Sequence, residues 1–139
     1  FQKEMAERII AKPGGKDYSR LSVMINYLAD AEIVMNVPKK SFYPQPNVDS
    51  AIVLIKPKNK KAYAVADEEF FFKTVALLFQ HKKQTVRNAL VHSSKALNLT
   101  KEKIKNIRLG DLGSRRVFTL AGAEIAKISE GVKKYAQSS

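Results

Sequence analysis

The chain reads KKSFYPQPNVDS from Lys39 to Ser50, between two short apolar runs, 33–37 and 51–55, that are typical of β-strands. The two prolines of this stretch are separated by one residue. Each fixes φ near about −65° and removes a backbone donor, so neither a helix nor a central strand can form here. The residue before each proline is also restricted to extended conformations. The sequence therefore predicts a stiff, extended loop between two strands.

Phe42 is the aromatic residue that opens this loop. A ring on a stiff loop costs little extra entropy to hold in place, which suits stacking on a planar ligand such as a nucleobase. The alternative is an ordinary proline-rich connector with Phe42 packed beneath it. The residues of the loop alone leave both interpretations open.

Four segments of the chain are similar, in the same order, to segments of one enzyme family. The loop FYPQPNVDS resembles the F-x-P-x-P-x-V-x-S loop of the KsgA-type rRNA adenine N6-dimethyltransferases, and the opening FQKEMAERI resembles their Q-K-E-x-A-x-R segment. The dipeptide PG at 13–14 and DYSRLSV at 17–23 follow the same pattern. FQHKKQTVRNAL at 79–90 resembles the basic carboxyl-terminal segment of that family.

The resemblance implies an α/β fold followed by an all-α domain. Residues 1–58 are expected to be the carboxyl-terminal part of a Rossmann-like methyltransferase domain, comprising the terminal strands and helices of its sheet. Residues 59–139 are expected to form a small, basic, helical domain that engages RNA. All five prolines lie at or before Pro57, which also indicates a boundary near residues 57–66.

Before this boundary the apolar pattern predicts two helices and two strands. The first helix is expected to end at Pro13-Gly14. The second is expected to be capped by Asp17 or Ser19 and to bury a stripe formed by Leu21, Met24, Ile25 and Leu28. Alternation of Ile33, Met35 and Val37 predicts a half-buried strand. The continuous apolar run 51–55 predicts a strand that is covered on both faces.

After the boundary the pattern is helical. Three acids at 67–69 predict a helix start, and Thr85–Leu97 is expected to form one continuous helix. Thr100 is expected to cap a helix that runs to Ile107. The last helix is expected to bury a stripe of five residues: Ala121, Ile125, Ile128, Val132 and Tyr135.

The charge of the chain is strongly positive and unevenly distributed. Of the net +12, residues 1–58 contribute +3 (nine Lys/Arg against six Asp/Glu) and residues 59–139 contribute +9 (sixteen against seven). Such an excess fits a domain that binds phosphate, but a lysine-rich surface adapted to solubility or high temperature has the same composition. Three groups of basic residues are candidates for RNA binding: Lys39 and Lys40; His81, Lys82, Lys83 and Arg87; and Arg108, Arg115 and Arg116.

The sequence does not support a membrane protein, a secreted protein with disulfides, a metal site or a catalytic pair of carboxylates. No apolar run approaches about 18 residues, as a membrane-spanning helix requires, and the charged segment 2–8 is unlike a signal peptide. The absence of cysteine excludes disulfides and thiolate metal sites. His81 and His92 have no metal-ligand spacing, and Glu4 and Glu7 are expected to be a solvated helical turn rather than a catalytic pair.

The resemblance also implies an activity: transfer of methyl groups from S-adenosylmethionine to adenine N6 in small-subunit rRNA during ribosome biogenesis. It assigns Phe42 to one wall of the target-adenine site. The family's glycine-rich cofactor loop and its Asn-rich catalytic tetrapeptide have no counterpart in this sequence. The chain is therefore expected to be a fragment that is inactive by itself and does not bind S-adenosylmethionine. The parent enzyme is expected to be cytoplasmic and monomeric, without a metal or a membrane.

Three other functions remain open at this point. One is a relative that methylates large-subunit rRNA and confers macrolide resistance. Another is a non-catalytic nucleic-acid-binding protein, such as a mitochondrial transcription factor derived from the family. The third is an unrelated basic helical domain whose first 57 residues are an accessory hairpin.

Overall fold

The computed structural model describes residues 1–138 and divides them into two units. The hairpin unit comprises residues 1–12 and 17–62, and the helical unit comprises residues 13–16 and 63–138. The helices are α1 (Lys3–Ile10), α2 (Arg20–Leu28), α3 (Glu68–Phe79), α4 (Val86–His92), α5 (Ser94–Leu97), α6 (Lys101–Lys105) and α7 (Gly122–Ser138), and the strands are β1 (Ala29–Val37) and β2 (Ser50–Pro57).

The hairpin unit is built on an antiparallel pair of strands. In this pair Ala29 lies opposite Pro57 and Val37 opposite Ser50, and the register shifts by one residue between Ile33 and Met35. Such a bulge increases the local twist of the ladder. Helices α1 and α2 pack on one face of the hairpin. The core of this unit consists of seven buried residues: Ala6, Ile9, Tyr18, Val23, Tyr27, Ala29 and Ala51.

The buried face of α2 differs from the predicted stripe. Leu28 is exposed, and Leu21, Met24 and Ile25 are only partly buried. The buried residues of the helix are Ser22, Val23 and Tyr27. Tertiary contacts explain the rotation, because the Ser22 hydroxyl donates to the Arg8 carbonyl and Lys61 Nζ lies 5.7 Å from the centroid of the Tyr27 ring. The start of the helix is as predicted: Ser19 is the N-cap, and its N–H donates to Ser22 Oγ at 3.1 Å.

The prediction that β2 is covered on both faces is wrong for the described chain. Ala51 is buried, but the side chains of Ile52 and Leu54, which point to the opposite face, are 50% and 40% exposed. The reason is that α1 and α2 cover only one side of the hairpin. Val34 and Met35 of β1 are exposed as well. The outer face of the hairpin therefore carries several exposed apolar side chains.

The first two residues of the chain continue the sheet beyond the hairpin. Gln2 forms an antiparallel bridge with Ser50. The Ala51 N–H donates to the Phe1 carbonyl at 2.8 Å, and the Lys3 N–H donates to the Asp49 carbonyl at 3.0 Å. The start of α1 is thus attached to the beginning of β2 by backbone hydrogen bonds.

The helical unit has one buried core, to which most of its helices contribute. Phe71, Val75 and Leu78 of α3, which recur at helical spacing, are fully buried. Other large buried residues include Val86, Leu90, Ile104, Val117, Leu120, Ile125, Ile128 and Val132. Three members of the predicted stripe of α7 are thus confirmed in the core.

Two helix predictions in this unit need correction. Residues 85–97 form two helices rather than one, because the backbone turns at Ser93, whose φ and ψ are −98° and 13°. The Ser93 hydroxyl donates to the Ala89 carbonyl at 2.9 Å, a side-chain bond that competes with the helical backbone. Thr100 caps α6 as predicted, by accepting from the Lys103 N–H at 3.1 Å, but the helix ends at Lys105 rather than Ile107.

Asp67 begins α3 and connects it to α7. Its Oδ1 accepts from the Phe70 N–H at 3.0 Å, and its Oδ2 pairs with Lys133 Nζ. The hydrogen bond from Lys133, followed by that from Phe70, holds the pKa of the Asp67 carboxyl below its ordinary value of 3.8. A lowered folded-state pKa means that the carboxylate stabilises the fold above 3.8 and that this stabilisation is lost as the pH falls through the folded pKa.

We therefore expect Asp67→Ala to lower the melting temperature at neutral pH, and the difference from the parent to shrink at an acidic pH below the folded pKa of Asp67, where the parent carboxyl is neutral as well. At neutral pH the melting temperature of Asp67→Asn should lie between those of the parent and Asp67→Ala. The amide oxygen can still accept from the Phe70 N–H, but the ion pair with Lys133 is lost. Thermal unfolding followed by circular dichroism at both pH values measures the effect. An equal difference at the two pH values would contradict it.

Candidate functional site

Phe42 is carried on the loop between β1 and β2. A 3-10 turn, Lys39–Ser41, follows β1 after Pro38, and the Ser41 N–H donates to the Pro38 carbonyl at 3.0 Å. The Phe42 N–H then donates to the Lys39 carbonyl at 3.3 Å. The Phe42 side chain is 44% exposed, and Tyr43 beside it is fully exposed. The ring therefore lies at the surface of the hairpin unit.

The helical unit brings together three segments that are distant in sequence: residues 13–16, 81–85 and 115–118. Lys82 Nζ donates to the Lys16 carbonyl at 3.0 Å. Two backbone hydrogen bonds connect the same three segments. The Gly14 N–H donates to the Phe118 carbonyl at 2.8 Å, and the Phe118 N–H donates to the Lys82 carbonyl at 3.0 Å. We call this region the basic junction.

Cations from all three segments lie at the basic junction. Lys16, Lys83 and Arg116 are exposed, and Lys82 is partly buried. Arg116 Nη1 donates to the Lys83 carbonyl at 3.1 Å, which holds two of these segments together. Sequence reasoning missed Lys16. It lies 66 positions from Lys82, and only the fold brings it to this region.

The two histidines are also neighbours in the helical unit. The rings of His81 and His92 are stacked, with centroids 4.8 Å apart and planes inclined by 26°. Stacked rings do not converge on a common ion. In residues 1–138 no group of three or more His, Cys, Asp or Glu residues could hold a metal ion.

Arg87 is partly buried, and its guanidinium is hydrogen-bonded within the helical unit. Its Nη1 lies 2.6 Å from the Ile107 carbonyl oxygen and 3.1 Å from that of Ile104, with the Lys105 carbonyl at 3.3 Å. A Cβ atom on Gly113 would lie 2.9 Å from Arg87 Nη2, so the absence of a side chain at Gly113 leaves room for the guanidinium. These contacts fix the end of α6.

Arg115 is likewise engaged within the unit, whereas Arg108 is exposed. Arg115 forms an ion pair with Glu124 and donates from Nη2 to the Thr119 carbonyl at 2.7 Å. Glu124 also accepts from the Ala121 N–H at 2.9 Å, at the start of α7. Of the basic residues predicted from sequence, Lys39, Lys40, Lys83, Arg108 and Arg116 have exposed side chains.

The carboxylates of α1 do not form a catalytic pair. Glu4 Oε1 accepts from Arg8 Nη2 at 2.8 Å, an exposed i,i+4 ion pair of the kind that contributes little to stability. No helix in the described part of the chain is long and apolar enough to cross a membrane.

The expectation that this chain does not hold S-adenosylmethionine rests on the lack of a cofactor cradle and stays a prediction. Such a cradle needs a glycine-rich turn between a strand and a helix, where the backbone can approach the ligand closely. β1 is followed by residues 38–49 and β2 by residues 58–67, and neither segment contains glycine.

Comparisons with known proteins agree on one family. The model of the family described as ribosomal RNA adenine dimethylase matches residues 1–119. A protein of Pyrococcus furiosus named probable ribosomal RNA small subunit methyltransferase A is 42% identical over 137 residues, which are 96% of this chain and 49% of that protein. Ribosomal RNA small subunit methyltransferase A of Anoxybacillus flavithermus is 42% identical over 133 residues, 94% of this chain and 45% of that protein. The chain thus spans about half the length of these curated relatives.

Solved structures show the same fold. A dimethyladenosine transferase from Plasmodium falciparum superimposes with a TM-score of 0.73 at 26% identity, over 97% of this chain and 56% of the other. The 23S rRNA methyltransferase ErmE superimposes with a TM-score of 0.53 at 22% identity, over 95% of this chain and 52% of the other. The small sheet and its helices are therefore consistent with part of a methyltransferase fold.

Proposed function

Because this chain belongs to the ribosomal RNA adenine dimethylase family, we propose that it is the carboxyl-terminal part of an enzyme that dimethylates adenine N6 in small-subunit rRNA. The names of the relatives support the small-subunit substrate. In this proposal the enzyme acts in the cytoplasm during ribosome biogenesis. Its methyl donor is S-adenosylmethionine, held by residues outside this chain.

We further propose that the hairpin unit is the edge of a larger Rossmann-like sheet. The bridge between Gln2 and Ser50 supports this, because a strand leading into Gln2 would continue alongside β2. The open apolar face around Ile52, Leu54 and Val34 is a second support, since exposed patches of this kind normally have a partner. The helical unit would be the RNA-engaging domain of the same enzyme.

The observation that carries the proposed activity is the exposed ring of Phe42 on the proline-containing loop between β1 and β2. Methylation of an exocyclic amine requires the base to leave its stack and the amine to be held in line with the methyl group. A ring that stacks on the extruded base restricts its plane and so orients the amine. Phe42 performs this role in our proposal, and Tyr43 is only its neighbour.

Methyl transfer by the full-length protein, meaning this chain with the remainder of its gene product, tests the proposal. Labelled S-adenosylmethionine and unmethylated small-subunit RNA should yield N6-methylated adenine. Methylation of large-subunit RNA instead would identify an enzyme of the macrolide-resistance type. RNA binding without any methyl transfer would identify a non-catalytic nucleic-acid-binding protein.

RNA affinity is proposed to come mainly from the exposed cations of the helical unit. The basic junction supports this, because it gathers Lys16, Lys83 and Arg116 from three segments of a unit with a large positive excess. Arg108 and the pair Lys39 and Lys40 are exposed and retain the same proposed role. For the partly buried His81 and Lys82, contact with RNA remains a prediction. Arg87 and Arg115 are partly buried and donate to groups within the protein, whereas Arg116 is exposed, so we propose a structural role for Arg87 and Arg115.

Replacing Lys16, Lys83 and Arg116 together with glutamine should weaken RNA binding and reduce the slope of log affinity against log salt by about two to three units. The matched control replaces Lys73, Lys127 and Lys134, which are exposed on α3 and α7, and removes the same charge. Fluorescence titrations with a small-subunit RNA fragment at several salt concentrations measure both slopes. Equal slopes for the two triple variants would show that total charge, and not the basic junction, determines binding.

A further inference from the structure

One carboxylate joins the two ends of the loop that carries Phe42. Asp49 Oδ1 accepts a hydrogen bond from the Lys39 N–H at 2.9 Å, although the two residues are ten positions apart. The Asp49 carbonyl accepts from the Lys3 N–H at 3.0 Å. Asp49 therefore ties the start of the loop, the end of the loop and the first residue of α1 together.

The hydrogen bond from Lys39 to Asp49 involves the 3-10 turn that precedes Phe42. Lys39 is the first residue of that turn, and its carbonyl accepts the N–H of Phe42. Lys39 is thus bonded on both sides: its N–H donates to Asp49, and its carbonyl accepts from the Phe42 N–H. Of the three residues of the turn, none is buried, so packing contributes little to its conformation. A side-chain acceptor across the loop offsets part of the entropy lost when the loop is fixed.

The surroundings of Asp49 favour a structural use of this carboxylate. It lies in a surface groove of about 380 Å³ that is also lined by Glu4, Glu7 and Lys3. The Asp49 carboxylate accepts from a backbone N–H, and the amide oxygen of an asparagine could accept the same hydrogen bond. This contact therefore requires an acceptor oxygen at position 49, but it does not require the negative charge of Asp49.

We propose that Asp49 is a positioning residue: its carboxylate holds the Lys39–Phe42 turn so that the Phe42 ring is ready to stack on the target base. The role of the ring rests on the function proposed above, whereas the attachment of the loop does not. Asp49 takes no part in proton transfer. Asp49→Asn should preserve the effect and Asp49→Ala should remove it.

The loop can be monitored directly, because the chain contains no tryptophan. In the full-length protein with its other tryptophans replaced by phenylalanine, Phe42→Trp places a single fluorophore on the turn. Adding Asp49→Ala should lower the fluorescence anisotropy of this tryptophan and raise its quenching by acrylamide. Adding Asp49→Asn should restore both values. Glu4→Gln, a change in the same groove, serves as the matched control and should alter neither.

Methyl transfer provides the second measurement. With Phe42 in place, Asp49→Ala should lower the single-turnover rate about three- to tenfold, with unchanged RNA affinity, and Asp49→Asn should restore it. Equal mobility of the Phe42→Trp probe in all Asp49 variants would overturn the proposal, as would an Asp49→Asn enzyme as slow as Asp49→Ala. If the unsubstituted protein transfers no methyl group, the proposed function fails, while the tryptophan probe still decides whether Asp49 holds the loop.

Discussion

Replacing Arg87 with alanine is expected to lower the free energy of unfolding by about 2–3 kcal/mol, because the guanidinium donates to the carbonyls of Ile104, Lys105 and Ile107. Two of these three bonds are partly buried, so water replaces them incompletely. Arg87→Lys should retain only part of the stabilisation, since an ammonium group lacks the planar fork of guanidinium. Urea unfolding followed by circular dichroism measures the change.

Arg108→Ala is the matched control, because it removes the same kind of side chain from an exposed position. It should leave the unfolding free energy within about 0.5 kcal/mol of the parent. Gly113→Ala offers an independent test, since its new Cβ would lie 2.9 Å from Arg87 Nη2 and displace the guanidinium. If Arg87→Ala kept the stability of the parent but lost RNA affinity, the guanidinium would face RNA, as the sequence pattern suggested.

The elements that could be predicted from sequence are those determined by adjacent residues. Asp67 and Thr100 cap helices through bonds to an N–H three positions away, so a short window contains the whole signal. The two prolines similarly define the loop after β1. The packing of α3 was also predictable, because Phe71, Val75 and Leu78 repeat at helical spacing in a helix that packs along one side.

Features that depend on distant partners could not be predicted. The burial of Ser22 depends on the Arg8 carbonyl in another helix, and no apolar pattern marks a serine as inward. The hydrogen bonds of Arg87 cannot be predicted from the basic run in which it stands, because the carbonyls that bind it lie 17 to 20 positions away. The place of Lys16 in the basic junction could not be predicted either, because its carbonyl accepts from Lys82, 66 positions away.

Phe42→Ala is expected to have the largest effect on catalysis. Stacking of a base on an aromatic ring contributes about 1–3 kcal/mol, which corresponds to a decrease of about 5- to 150-fold in the single-turnover rate of methyl transfer. The decrease should appear in this rate rather than in RNA affinity, which we propose to come mainly from the exposed cations of the helical unit. The melting temperature should change little, because the Phe42 ring is 44% exposed and the prolines define the loop.

Substitutions that separate stacking from packing sharpen this prediction. Phe42→Tyr and Phe42→Trp keep a π-face and should retain much of the activity. Phe42→Leu keeps an apolar side chain of suitable size but has no ring. If Phe42 served only to pack beneath the loop, leucine would be tolerated and alanine would lower the melting temperature markedly, as for a core residue.

The single-turnover rate of the Phe42→Leu enzyme therefore tests the account most directly. It should be measured with the full-length protein, labelled S-adenosylmethionine and unmethylated small-subunit RNA, beside the parent and Phe42→Trp. We expect Phe42→Leu to approach the slow rate of Phe42→Ala while Phe42→Trp remains close to the parent. A Phe42→Leu enzyme as fast as the parent would contradict the assignment of Phe42 to the target-adenine site.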